Sequence, residues 1–307
     1  MEAALRDRLE KVVNSVPGWS WSEVNVAPLD GGVTNENFVV NTNNESFFMK
    51  VFGRGTESFI NRDSAYSAAV QAEKLGIGPK VIYYNKASGV EVCEFLNNYR
   101  ASLTSDFSNK NFLEKVIDLY ATFHGSRKLS DTKDVFEMTQ EHIDQGSQLS
   151  VNRPSDFDWL YKKYLRAREA FFASGLDLVP CHNDPMPGNF MVSMNGSSIE
   201  DMKLIDFEYA SNNERAYEIG VFLQEVFVDE RTSLEMIERY YGEVRSNIVA
   251  RVTVARAVAD MKWGNWALQQ RKLQDWDFDY QKYGIWKLAR ARMMFNDPRW
   301  DEWLRRI

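Results

Sequence analysis

His182, Asp184, Asn189 and Asp206 are the residues of this 307-residue chain whose types and spacing most plainly suit chemistry. The first three have the spacing H-x-D-x-x-x-x-N within His182-Asn183-Asp184-Pro185-Met186-Pro187-Gly188-Asn189-Phe190. Asp206 follows the apolar pair Leu204-Ile205, 17 positions after Asn189. Such a set offers one carboxylate to take the proton of a hydroxyl. It also offers an amide and a second carboxylate, hard oxygen donors of the kind that hold Mg2+. These are the parts of a phosphoryl-transfer site. Asp184 is the candidate base; a weak base suffices, because an alcohol proton becomes acidic only as the new bond to phosphorus forms. Asn189 and Asp206 are the candidate metal ligands. His182 is expected to brace the loop by hydrogen bonds.

With the flanking Cys181, these segments resemble those of the aminoglycoside phosphotransferase and choline kinase superfamily, which shares the protein-kinase-like fold. The resemblance runs over roughly residues 20–295. It implies an α+β, bilobal architecture, with a small β-rich N-lobe (residues 1–97) and a larger, mostly helical C-lobe (residues 98–307). It also implies ATP and Mg2+ as cofactors. The stretch Gly31-Gly32-Val33-Thr34-Asn35 resembles the family's phosphate loop. Glycine backbone N–H groups approach phosphates there, and Thr34 and Asn35 add polar side chains. Gly32, Thr34 and Asn35 are thus candidate nucleotide contacts, although a plain hairpin turn fits the same residues. Lys50, in an otherwise apolar strand, stands where the family keeps its phosphate-binding lysine. The backbone of Glu94 and Leu96 stands where the family's inter-lobe linker meets adenine. The family pairs its lysine with a helix glutamate, but that position falls here at Ser64 or Ala65. Asp63 is the first substitute and Glu73 the second. The departure leaves open a function of another class, nucleotide binding without catalysis.

The acceptor side is read further along. Trp263-Gly264-Asn265-Trp266 places two indoles on one helix face, and Asp277-Phe278-Asp279-Tyr280-Gln281-Lys282-Tyr283 follows. This combination resembles choline and ethanolamine kinases in particular. Aromatic faces suit a quaternary ammonium, which has no N–H to donate. The resemblance therefore implies a small cationic alcohol as partner: choline or a related amino alcohol, its hydroxyl at Asp184. Trp263, Trp266, Tyr280, Tyr283 and Tyr209 would be the aromatic contacts, and Glu208 and Glu225 the attracting acids. Ethanolamine, thiamine and an aminoglycoside are the alternative acceptors. Tryptophans three positions apart also pack helix cores. Glu218 stands where the family usually has Asp, and Glu230 falls about where eukaryotic choline kinases place a pocket tyrosine. A more acidic, less aromatic cage follows from both.

These residues need elements to hold them. The sequence predicts an opening helix ended by Pro17-Gly18, then strands at 38–40 and 47–52 around a polar turn. A helix at 61–75 is stopped by Gly76, and strands follow at 81–84 and 90–95. Helical periodicity then marks 112–124, 136–145, 156–174, 234–244 and 247–270. A short strand pair is expected around the catalytic segment. Hydrophobic residues make up 44% and charged residues 26%, as in a soluble globular protein. The net charge of -7, without long basic runs, argues against a nucleic-acid partner. No run of 18 apolar residues is present, so stable membrane insertion is not expected. The N-terminus lacks the apolar core of a signal peptide, and Cys93 and Cys181 match no metal or redox spacing. A cytoplasmic location is the expectation.

Overall fold

The computed structural model describes residues 3–29, 35–43, 45–53, 60–196, 198–274 and 277–307. The chain begins α1 (Ala3–Ser15), β1 (Asn25–Leu29), β2 (Asn35–Asn41), β3 (Ser46–Phe52), α2 (Arg62–Lys74), β4 (Val81–Asn85), β5 (Val90–Glu94) and β6 (Tyr99–Ala101). It continues α3 (Lys110–His124), α4 (Val135–Gln148), α5 (Phe157–Ser174), β7 (Leu178–Cys181), β8 (Phe190–Asn195), β9 (Ser198–Leu204) and β10 (Ser211–Glu214). It ends α6 (Arg215–Glu225), α7 (Glu230–Tyr241), α8 (Ser246–Leu273), α9 (Tyr280–Phe295) and α10 (Trp300–Arg306). The class is α+β. Two compact units emerge: Met1–Ser102 with Asn189–Tyr209, and Leu103–Gly188 with Ala210–Ile307.

The first unit is built on a five-stranded antiparallel sheet in the order β1-β2-β3-β5-β4. Its apolar residues recur at intervals of two: Phe38 and Val40, Met49 and Val51, Val90 and Val92, all buried. That period puts them on one face. Leu9, Val12, Val13 and Val16 of α1 recur at helical intervals and close over the same core. Lys50, between Met49 and Val51, therefore points to the opposite face, with Glu91 of β5 as its cross-strand neighbour. On α2, Asn61 caps the N-terminus by accepting from the Ser64 N–H at 3.2 Å. Ala65, Ala68, Ala69 and Ala72 form its buried stripe. A second sheet, β6-β8-β9, brings the later hairpin into this unit. Two backbone bonds secure it: Ser102 N–H to the Phe190 carbonyl (2.9 Å) and Leu204 N–H to the Ile77 carbonyl (2.7 Å).

The second unit is helical around α8, which packs against α4, α6 and α9. Gly264 and Gly284 let α8 and α9 approach closely. A β-carbon on Gly264 would fall 2.8 Å from Leu288, and one on Gly284 would fall 3.0 Å from the Gly264 carbonyl. β7 and β10 pair antiparallel at the edge of this unit. The sequence reading missed α6, α9 and α10. In α6 every residue from Ala216 to Gln224 is buried, so it has no polar face and no amphipathic period to detect. The expected single strand pair is a further correction. Two pairs flank the segment 182–189, β7 with β10 and β8 with β9. Their short, mixed sequences carry little alternation. No helix among the described residues is long and apolar enough to cross a membrane.

Candidate active site

In the first unit the β8–β9 hairpin explains why two residues 17 positions apart lie together. Phe190 pairs with Leu204, so Asn189 just before β8 and Asp206 just after β9 lie at the same end. The Ile205 N–H bonds the Asn189 carbonyl at 3.0 Å and locks the juxtaposition. Asp206 has φ 66°, a left-handed conformation that costs free energy for a residue with a β-carbon. Asp206 Oδ1 receives a hydrogen bond from Lys50 Nζ at 2.6 Å. Lys50 is buried. Burial pulls its pKa down, but Asp206, Glu91 and Glu208 together outweigh that, and the ammonium is held well above its ordinary value.

Beside this pair lies a second set of charges that the sequence reading did not foresee. Arg62, in the first turn of α2, sits 3.5 Å from Glu208 and stacks 4.0 Å over the Phe52 ring. Asn35 Nδ2 donates to Glu208 at 2.7 Å, while its Oδ1 accepts from Gly53 at 3.2 Å and from Arg62 at 3.4 Å. Burial, then Asp206, push the Glu208 carboxyl upward against Lys50, Arg62 and Asn35. The expected substitutes for the helix glutamate go elsewhere. Asp63 pairs with Lys86 at 2.6 Å on the surface, and Glu73 accepts from the Val81 N–H at 3.1 Å. Lys50 takes its carboxylate from Asp206 instead, and α2 contributes a cation. The legible signal was a basic residue directly after the Asn61 cap.

Of the other candidates in this unit, Gly32 and Thr34 lie outside the described residues. Glu94 ends β5, with its N–H on the Lys80 carbonyl (2.9 Å) and its side chain accepting from the Lys80 N–H (2.7 Å). The Leu96 carbonyl receives the Tyr99 N–H at 3.3 Å. Glu208 and Tyr209 both belong to this unit, and the Glu208 carboxylate is engaged by Asn35 and Arg62 as above.

The second unit holds Asp184. Its loop hangs from Glu218 of α6, whose carboxylate accepts the N–H groups of His182 and, at 2.9 Å, Asn183. Asn183 adopts φ 69°, which asparagine tolerates better than most residues. Its side chain donates to Ser211 at 2.9 Å and accepts from Asn213 at 2.8 Å, so β10 holds the turn from the other side. His182 Nδ1 accepts from the Asp184 N–H at 3.3 Å, the bracing role expected of it. The loop-supporting Asn213 went unread in the sequence, where Asn212-Asn213 passes for a surface turn; both are buried.

The same unit brings Trp263, Trp266, Tyr280 and Tyr283 together. Trp263 and Trp266 meet edge to face at 5.3 Å, and Trp266 lies 5.9 Å from Tyr280 and 6.4 Å from Tyr283. Burial, then Glu225 and Asp184, raise the Tyr283 pKa well above its ordinary value. Glu225 is paired with Lys287 and stands 3.7 Å from Arg290, and its charge is offset by these cations.

The family model for choline/ethanolamine kinases matches residues 26–242. A probable ethanolamine kinase of Arabidopsis thaliana is 24% identical over 306 aligned residues, covering 86% of this chain and 79% of the relative. Probable choline kinase 3 of the same plant is 26% identical over 251, covering 76% and 70%. The crystal structure of a choline/ethanolamine kinase family protein from Mesorhizobium loti aligns at 23% identity with a TM-score of 0.82, covering 98% of each chain. The fold is therefore the kinase-like one. The matched span contains Lys50, Asp184, Asn189, Asp206 and Glu218 and stops short of α8. On this agreement of sequence and fold, the chain is a phosphotransferase and belongs to the choline/ethanolamine kinase family.

Proposed function

We propose that the protein transfers the terminal phosphoryl group of ATP to the hydroxyl of choline or a related small amino alcohol. The first unit supplies the donor side. Lys50, kept charged by Asp206, suits phosphate oxygens, and the backbone of Glu94 and Leu96 suits adenine. Asn189 and Asp206 are hard oxygen donors set side by side by the hairpin, a set that fits Mg2+. That ion, when bound, offsets the charge of the phosphates. Asn35 and Glu208, bonded to each other and to Arg62, act as supports of this region.

The second unit supplies the acceptor side. Asp184 orients the acceptor hydroxyl and receives its proton late. The bond from the acceptor oxygen to phosphorus forms while the bond from phosphorus to the departing ADP oxygen breaks. Such a loose transition state needs positioned groups more than a strong base. The observation that carries this reading is that one unit holds both Asp184, on the loop hung from Glu218, and the cluster of Trp263, Trp266, Tyr280 and Tyr283. A hydroxyl-handling carboxylate in the same unit as clustered aromatic side chains suits a cationic alcohol.

The test is ADP formation with a panel of choline, ethanolamine, thiamine, an aminoglycoside and an uncharged alcohol of choline's size. Turnover is expected with the small amino alcohols alone, and only with a divalent cation present. Equal turnover of the uncharged alcohol would remove cation recognition from the site. Nucleotide binding without transfer to any alcohol would favour a non-catalytic role. Replacing Trp266 with Ala is expected to raise the acceptor KM about tenfold, the equivalent of roughly 1–2 kcal/mol, with little change for ATP.

A further inference from the structure

The aromatic faces that a cationic acceptor would use already carry cations of the protein itself. Lys262 Nζ lies 3.1 Å from the centroid of the Trp263 ring. Lys287 Nζ lies 4.8 Å from that of Tyr283. Neither lysine is at the surface: Lys262 is 0% and Lys287 4% exposed. Lys287 is ion-paired with Glu225, so its place is fixed. Lys262 precedes the Trp-x-x-Trp pair directly and shares its helix.

We propose that Lys262 is a specificity-determining residue of the acceptor site, covering the Trp263 face against a quaternary ammonium and favouring amino alcohols that retain N–H groups. The inference rests on the acceptor reading above. A fully methylated nitrogen cannot donate a hydrogen bond and depends on open aromatic faces for recognition. With the Trp263 face covered, it loses its best contact. A primary ammonium keeps another option, since its N–H groups can reach oxygen or nitrogen acceptors. Lys262 disfavours the quaternary group in either protonation state. In both states its side chain fills the Trp263 face that a quaternary group would need and that a primary ammonium can do without. Burial pushes Lys262 well below the ordinary lysine range; Lys133 and Lys287 add to this, and Asp184 and Glu218 oppose it.

The experiment compares KM and kcat for ethanolamine, its N-methyl and N,N-dimethyl derivatives, and choline, in the native protein and in Lys262→Met, at saturating ATP and Mg2+. In the native protein KM is expected to rise with each methyl group, to at least tenfold higher for choline than for ethanolamine. In Lys262→Met the choline KM is expected to fall at least tenfold, the ratio to approach one or invert, and the ATP KM to stay as it was. Tetramethylammonium is expected to compete with the acceptor in the variant and not in the native protein. Should the methionine variant fail to fold, Lys262→Gln is read the same way, since it removes the cation and keeps a polar end. A native choline KM equal to or below that of ethanolamine overturns the inference, and so does a ratio that the substitution leaves unchanged. Absence of transfer to all four alcohols overturns the acceptor reading itself, a result distinct from transfer with an unaltered ratio.

Discussion

Lys50 and Lys262 are both buried, one in each unit, and their surroundings push their pKa values in opposite directions. Lys50 is bonded to Asp206 at 2.6 Å, has Glu91 across the strand pair and Glu208 nearby, and is held above the ordinary lysine range. Lys262 lies over Trp263, and its pKa is pushed well below that range. Desolvation penalises the charge in both places. The difference lies in what the neighbouring carboxylates are free to do. Around Lys50 a carboxylate meets the ammonium directly. Around Lys262 the acids act against two further lysines, and Glu218 already holds the backbone of His182 and Asn183. A buried lysine becomes a permanent cation only where an acid within bonding distance offsets its lost hydration. The first unit thus holds its buried lysine against a directly bonded carboxylate, and the second holds its buried lysine against an indole face.

The sharpest test of this division sets Asp206 against Asp184. Asp206→Ala is expected to abolish turnover and to weaken metal-dependent nucleotide binding. Asp184→Asn is expected to lower turnover by about 10²–10⁴, the contribution of a positioned acid–base group, with nucleotide binding largely kept. Nucleotide titration of the two folded variants checks the contrast, and identical binding losses in both would break it.

Next in size is the contrast in stability. Lys50→Met removes the cation bonded to Asp206 and set across the strand pair from Glu91, and about 3 kcal/mol is expected to be lost, as for a buried pair stripped of one partner. Lys262→Met is expected to leave stability unchanged or raised, because it removes a buried group that is costly to charge. Urea denaturation of both variants measures this, and equal losses would mean that the two lysines are alike after all.

A smaller effect is expected at Arg62. Arg62→Leu removes the cation beside Glu208 and leaves that carboxylate with Asn35. A loss of about 2 kcal/mol is expected, together with a further rise of the Glu208 pKa. A variant as stable as the parent would show that the network contributes nothing net.

The last effect is graded and concerns pH. Burial, then Lys262, lower the His142 pKa from 6.5 to about 3, against the hydrogen bond to Gln269 that raises it. Above pH 6.5 both folded and unfolded chains carry the neutral ring, and this part of the stability is fully present. As pH falls below 6.5 the unfolded chain takes up a proton that the folded one refuses until about pH 3. Stability is lost through that window at up to about 1.4 kcal/mol per pH unit. Thermal melts of native protein and His142→Gln between pH 7 and 5 check this; equal slopes would show that His142 does not titrate as described.

Much of the donor half was legible because its signals are local. A strand of period two places Lys50 opposite Met49 and Val51, and a helix cap announces α2. An acid after an apolar strand announces Asp206, and the spacing of Asp184 to Asn189 is written within one loop. Secondary structure of this kind follows from side-chain period and turn chemistry over a few residues, so the chain alone determined it. Partnership across the chain was not legible. Nothing near Lys50 in sequence selects Asp206 over Asp63 or Glu73; the register of the β8–β9 hairpin does. Nothing marks α6 as a helix, because its neighbours surround it on every side. The sequence also does not show that Asn35 and Glu208 bond each other from 173 positions apart. Nor does it show that Lys262, one residue before an expected cation box, turns onto that box. Those outcomes depend on which groups packing excludes from water together. Only the tertiary structure decides that, because the electrostatic cost of burial is settled by neighbours and not by sequence position.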